Sequence, residues 1–168
     1  PKIKSNFKQI FSPQTAYQMT SILEGAIQRG TGKRLRDLNL QLAGKTGTTN
    51  NNTDTWFIGF TSNLVVGVYV GYDNPKRLGK YETGSKTALP IFKDFIKKAA
   101  NNYEARPFKI AKGIKMMVID AETGKKADFG SKKTIIESYN KEKIENQIFI
   151  SNDKYNSDKL KKNILKFY

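Results

Sequence analysis

The residues best suited to chemistry stand together in Ala43-Gly44-Lys45-Thr46-Gly47-Thr48-Thr49, which offers one ammonium group, three hydroxyls and two glycines that let a ligand approach the backbone. Gly44-Lys45-Thr46 matches the end of a phosphate-binding loop, where glycine-rich backbone cradles phosphates and the hydroxyl holds magnesium. The context argues against it. The first glycine of such a loop would fall at position 39, which is Asn39, and the polar run Asn50-Asn51-Asn52-Thr53-Asp54 follows where a helix should begin. Composition closes other routes. With no cysteine there are no thiolate zinc sites, cysteine nucleophiles or disulfides. With no histidine there is no Ser-His-Asp triad, so serine chemistry here would need a lysine or a carboxylate as its base.

Several elements are available to position that stretch. Ser12-Pro13 is a helix start, and Ala16, Met19, Ile22, Leu23, Ala26 and Ile27 recur at helical spacing until Gly30. This reads as a packing helix. Gly30-Thr31-Gly32 and the basic Lys33-Arg34-Leu35-Arg36 form a connection to Leu40-Gln41-Leu42-Ala43, which reads as a strand entering the glycine motif. Asn50 through Asp54 is a loop by composition. Trp56–Phe60 and Leu64–Val70, parted by Thr61-Ser62-Asn63, read as a β-hairpin with a glycine in each strand. A second amphipathic helix is expected from about Ala88 to Ala100, with Ile91, Phe92, Phe95, Ile96 and Ala99 on one face. Helix, strand, hairpin and helix in that order predict the α+β class, an antiparallel sheet with flanking helices.

Arg106-Pro107 marks a boundary. Beyond it Lys115–Ile119 and Lys126–Phe129 flank Asp120-Ala121-Glu122-Thr123-Gly124 as a second hairpin, and Thr134–Glu137 is a candidate further strand. The domain reading is therefore 1–105, a small β-rich appendage over 106–150, and a polar, disordered tail over 151–168. Pro1-Lys2-Ile3-Lys4 is neither an initiator methionine nor a signal peptide, and its start reads as a cut inside a longer chain.

The chain resembles the C-terminal part of the transpeptidase domain of class A, bifunctional penicillin-binding proteins. Lys45-Thr46-Gly47 is similar to the Lys-Thr-Gly element of serine penicillin-recognising enzymes. The likeness extends through Ser12–Tyr17, Gly30-Thr31-Gly32, Ala43–Thr49, Asp54–Phe60, Val66–Asp73 and Thr87–Ile91, and Asp120 with Thr123-Gly124 and Thr134–Glu137 resemble the segment that follows that domain. The resemblance implies a partial β-lactamase-like fold and a D,D-transpeptidase or carboxypeptidase that cross-links cell-wall stem peptides through a serine acyl-enzyme. It implies catalytic roles for Lys45, as electrostatic and proton-handling cation, and for Thr48, whose backbone N–H would form half of an oxyanion hole. Thr46, Gly47, Thr48 and Thr49 would bind substrate, with the Thr46 and Thr48 hydroxyls on the terminal carboxylate of a D-Ala-D-Ala stem peptide or of a β-lactam. Trp56 is expected to pack beneath the sheet. No metal or organic cofactor is implied.

The family also needs a Ser-x-x-Lys and a Ser-x-Asn before the Lys-Thr-Gly strand. Ser5-Asn6-Phe7-Lys8, Ser138-Tyr139-Asn140-Lys141 and Ser151-Asn152-Asp153-Lys154 match the first by letter. The first lies too close to the motif and the others follow it, so all three read as solvated surface. The nucleophile is then expected from a missing N-terminal part of the same domain, and this chain alone is expected to be inactive. By resemblance the whole protein would sit at the extracytoplasmic face of the bacterial cytoplasmic membrane. The rival reading is a catalytically inactive relic, or a basic binding module from a split gene; a small-ligand carrier ranks below both. The net charge of +15 divides into +9 over residues 1–100 and +6 over the remainder, so it is spread along the chain and no nucleic-acid partner is expected.

Overall fold

The computed structural model describes residues 8–99 and 106–144. They fall into two compact units, one containing residues up to Met19 with those from Ile110 onward, the other Thr20–Lys109. The expected tail over 151–168 lies outside the described residues. No described helix is long and apolar enough to cross a membrane.

The second unit holds the glycine motif. Its sheet has three antiparallel strands, β1 (Ala43–Thr48), β2 (Asp54–Phe60) and β3 (Val65–Gly71), in the order β1-β2-β3. The register sets Lys45 opposite Ile58, Gly47 opposite Trp56 and Phe57 opposite Val68. The strand contains the motif, as expected, but begins at Ala43: Leu40, Gln41 and Leu42, read as its start, precede the ladder, and Leu42 is buried in the core. The Lys33–Arg36 connection folds into a 3-10 helix, Lys33–Leu38, anchored by the buried Leu35.

Alternation along β2 gives the sheet two unlike faces. Phe57 points toward helix α2 (Ala88–Ala99), where its ring meets Phe92 with centroids 4.7 Å apart. Ile27, Leu35, Leu42, Ala88, Leu89 and Ile96 close this core, and Val66, Val68 and Val70 pack against it. Gly59 makes room for the aromatic pair, since a Cβ there would stand 2.6 Å from the Phe92 ring. Thr55, fully buried on the same face, is satisfied by the Thr87 hydroxyl at 2.6 Å, which fastens the sheet to the segment leading into α2. The opposite face is open. Trp56 lies there, 43 % exposed and against Tyr69 at 4.8 Å. The expectation that Trp56 packs beneath the sheet is thus corrected: an even-numbered residue of β2 faces away from α2.

Helix α1 (Pro13–Gln28) starts as the sequence predicts, with Ser12 Oγ accepting the Thr15 N–H at 3.2 Å. Within the first unit, β4 (Ile114–Asp120) pairs antiparallel with β5 (Thr134–Asn140). The expected second hairpin forms only as a stub on the other edge of β4, with Asp120 N–H donating to Lys125 C=O and Ala127 N–H to Val118 C=O. Lys126–Phe129 contributes only one isolated bridge, Lys126 to Ile119. Asp120 Oδ1 accepts the N–H groups of Glu122 and Thr123, at 2.9 and 2.8 Å, and fixes the turn. Asp128 and Gly130 then make a further turn, leaving the β-branched Thr134-Ile135-Ile136 to complete the ladder. Ser138, expected on solvated surface, is buried in β5 with its carbonyl accepting from Gln18 at 3.1 Å.

Candidate functional site: the free edge of strand β1

Among the described residues β1 has a strand neighbour on one side only. The hydrogen-bond phase follows from the ends of the hairpins. Thr49 N–H donates to Asp54 C=O at 3.1 Å and Thr61 N–H to Leu64 C=O at 2.9 Å. Antiparallel pairs alternate between bonded and non-bonded positions, so residues 43, 45 and 47 bond to β2. Gly44, Thr46 and Thr48 must then direct their N–H and C=O groups to the free edge. The Lys45 ammonium agrees, since it curls round that edge to reach Thr46 C=O at 3.1 Å and Thr46 Oγ1 at 3.3 Å.

The threonine hydroxyls each have a fixed neighbour. Thr46 Oγ1 lies 2.8 Å from Thr31 Oγ1, so Lys45, Thr46 and Thr31 form one polar chain. Thr48 Oγ1 accepts the Gly84 N–H at 3.1 Å. Gly84 sits so close to the strand that a Cβ there would fall within 2.6 Å of the Gly47 and Trp56 carbonyl oxygens. Gly47 is tight on the other side, where a Cβ would stand 3.2 Å from Trp56 Cβ. Thr49 stands apart from this cluster. Its hydroxyl accepts the N–H groups of Thr53 and Asp54, both at 3.0 Å, and closes the turn into β2. That turn is held in place by Asn52, whose side chain donates to Glu82 C=O and whose carbonyl accepts the Leu78 N–H.

Lys45, Thr46, Gly47 and Thr48 therefore share one strand edge with an ammonium, two hydroxyls and outward amides. Thr31 and Gly84 belong to the arrangement and were missed as site residues. In the sequence Thr31 is only part of a glycine-flanked connection, and Gly84 is one glycine in a run without periodicity. Beside the site, Tyr69 O–H donates to Asp54 Oδ1 at 2.6 Å and, with a further bond from Thr53, holds that carboxyl below the usual carboxylate range.

Residues 2–97 match the family model for the penicillin binding protein transpeptidase domain. The chain belongs to the penicillin-binding protein transpeptidase family. It is 48% identical over 143 residues to Penicillin-binding protein 1A of Rickettsia conorii, covering 83% of this chain and 18% of that protein. Against Penicillin-binding protein 1A of Pseudomonas aeruginosa the identity is 40% over 136 residues, 80% of this chain and 16% of the relative. The crystal structure of Penicillin-Binding Protein 1A from Haemophilus influenzae superposes with a TM-score of 0.67 at 31% identity, over 76% of this chain and 20% of that one. The chain thus spans about a fifth of the length of these relatives. The α+β reading, an antiparallel sheet with helices against it, is that of this penicillin-binding structure.

Proposed function

We propose that this chain supplies one wall of a peptidoglycan D,D-transpeptidase site, with the serine nucleophile and its lysine base provided by a segment of the same domain outside these residues. The observation that carries the reading is the free edge of β1, which the outward N–H of Thr48 shares with the paired Lys45 ammonium and Thr46 hydroxyl. A stem peptide or β-lactam lying along that edge would find donors where charge develops. Lys45 and Thr46 would hold the terminal carboxylate together with Thr48, Gly47 would admit the ligand against the strand, and Thr49 would shape the turn that ends it. The Thr48 amide would stabilise the oxyanion as the serine attacks, a contribution of roughly 2.7–4 kcal/mol in comparable sites. The serine Oγ–C bond forms as the peptide C–N bond breaks, and D-Ala leaves with the proton. An amino group of a neighbouring stem peptide then takes the acyl group and returns the proton to the serine; water in its place gives carboxypeptidase activity.

We put the functional division near residue 106, a reading supported by a family match that ends at residue 97 and a compact unit that ends at Lys109. We place the whole protein at the extracytoplasmic face of the bacterial cytoplasmic membrane. Labelling with a fluorescent penicillin, followed by denaturing electrophoresis, tests the assignment. The chain alone gives no labelled band. Co-expression with the N-terminal part of a relative's transpeptidase domain restores a band on that partner, and Lys45→Ala abolishes it. A labelled band on the isolated chain, or restored labelling indifferent to Lys45→Ala, refutes the assignment.

A further inference from the structure

The chain's positive charge looks evenly spread along the sequence, but the fold gathers part of it. Between the 3-10 helix Lys33–Leu38 and the start of α2 lies a cleft of about 570 Å3. Four cations line it, Lys33, Arg34, Arg36 and Lys93, with the single carboxylate Asp37 and the apolar Leu89 and Pro90. All seven belong to the Thr20–Lys109 unit.

Local geometry explains the clustering. A 3-10 helix repeats every three residues, so side chains at i and i+3 eclipse: Lys33 with Arg36, and Arg34 with Asp37. Leu35, buried in the core, fixes the rotation of the turn and leaves the charged residues outward. Asp37 is occupied by the Lys93 ammonium in an ion pair, which also holds its carboxyl below the ordinary range. Arg34 donates to Ser85 C=O at 3.4 Å, a bond that leaves its charge unbalanced. The Lys33 ammonium and the Arg36 guanidinium have no hydrogen-bond or ion-pair partner among the described residues. The first turn of α2 contains no acidic residue, so nothing there offsets the positive end of its dipole. Counting the lining groups, the cleft carries three positive charges more than it neutralises.

We infer that this cleft binds a phosphate-bearing anion, with Arg36 and Lys33 on its oxygens and Lys93 and Arg34 alongside. A carboxylate satisfies one guanidinium fork and leaves the other cations unmatched, whereas a phosphate presents three oxygens and up to two charges to several donors at once. Leu89 and Pro90 give the carbon side of a phosphate ester an apolar wall. The site is separate from the β1 edge and does not depend on the transpeptidase reading. A phospholipid headgroup and a soluble phosphate share this chemistry.

Titration of the labelled chain, followed by amide chemical shifts, tests the inference with inorganic phosphate in one arm and phosphatidylglycerol vesicles, against phosphatidylcholine vesicles, in the other. Shifts are expected to concentrate at residues 33–37 and 88–93. Lys33→Gln with Arg36→Gln weakens binding about tenfold or more, whereas Lys132→Gln with Lys133→Gln, equal in charge but in the other unit, leaves it unchanged. Asp37→Asn removes the internal competitor and tightens binding severalfold, an outcome that a damaged fold could not produce. Association with phosphatidylglycerol vesicles that free phosphate does not reproduce assigns a headgroup, and saturation by free phosphate without vesicle association assigns a soluble ligand. Equal loss in the two double variants, shifts spread over both units, or no binding in either arm overturns the inference.

Discussion

The Thr31 hydroxyl lies 2.8 Å from the Thr46 hydroxyl, which ties the glycine-flanked connection after α1 to the strand that bears the motif. This contact sets the rotamer of Thr46, the hydroxyl nearest the Lys45 ammonium. Thr31→Val keeps the shape and removes the partner. A net loss of about 0.5–1.5 kcal/mol in urea unfolding is expected, toward the lower end because the pair is exposed. Thr31→Ser should restore it. In the reconstituted enzyme Thr31→Val should slow penicillin acylation more than it lowers stability; an acylation rate equal to wild type removes Thr31 from the site.

The aromatic pair Phe57–Phe92 is the main fastening of α2 to the sheet, with both rings fully buried and Gly59 beneath them. Phe92→Ala should cost about 3–5 kcal/mol, from lost burial and the cavity left behind. Equilibrium unfolding of the chain measures it. A cost within about 0.5 kcal/mol, the range of exposed positions, would mean that α2 does not hold the sheet.

Much of this arrangement is legible in the residues, and the unread parts share a cause. Helix α1 announces itself through Ser12-Pro13 and its apolar repeat, and β2 and β3 through alternation, because those signals are local. The edge position of β1 is not local. It depends on which strands find partners, and Lys45-Thr46-Gly47 reads the same in the middle of a sheet as at its rim. Trp56 is ambiguous for a related reason: alternation tells that Trp56 and Phe57 face opposite ways, but α2 decides which face is covered. The β4–β5 pair differs from expectation for another cause. Lys126–Phe129 does fold back at the Asp120–Gly124 turn, with the Ala127 N–H donating to Val118 C=O at 3.0 Å, but it stops after one bridge, while Thr134–Asn140 pairs along the opposite edge of β4. Thr31 and Gly84 reach β1 through contacts 15 and 36 residues away in sequence, which no spacing rule reports.

Asp54 and Tyr69 link the start of β2 to the end of β3 and should give the sheet a signature in acid. The Tyr69 O–H favours the carboxylate, so Asp54 has a folded-state pKa below its unfolded one. The stability it contributes is complete above the unfolded pKa and is lost as pH falls through the folded value. Tyr69→Phe removes the donor and moves the Asp54 pKa up toward the ordinary range. Carbon NMR of the carboxyl should show that rise. Wild type should be the more stable at neutral pH, and the gap should shrink in acid once Asp54 is protonated in both proteins. A gap that stays constant from neutral pH to acid would mean that the Tyr69 hydroxyl does not act through the Asp54 carboxylate.

Gly84 and Gly79 make an internal comparison for the support of β1. A Cβ at Gly84 would strike backbone oxygens of Gly47 and Trp56 and lie 3.2 Å from Thr46 Cβ, none of which can move without shifting the strand. At Gly79 the nearest atom is Glu82 Cγ, part of a flexible side chain that can swing away. Gly84→Ala should therefore cost about 1–3 kcal/mol, as overpacking does, while Gly79→Ala should stay within about 0.5 kcal/mol of wild type. The site should feel the first change and not the second. Amide shifts at Thr46, Gly47 and Thr48 should move in Gly84→Ala, with faster hydrogen exchange at Gly84 as its bond to the Thr48 hydroxyl lengthens. If both variants prove equally mild and the β1 amides stay in place, Gly84 does not brace the strand, and the motif owes its geometry to β2 alone.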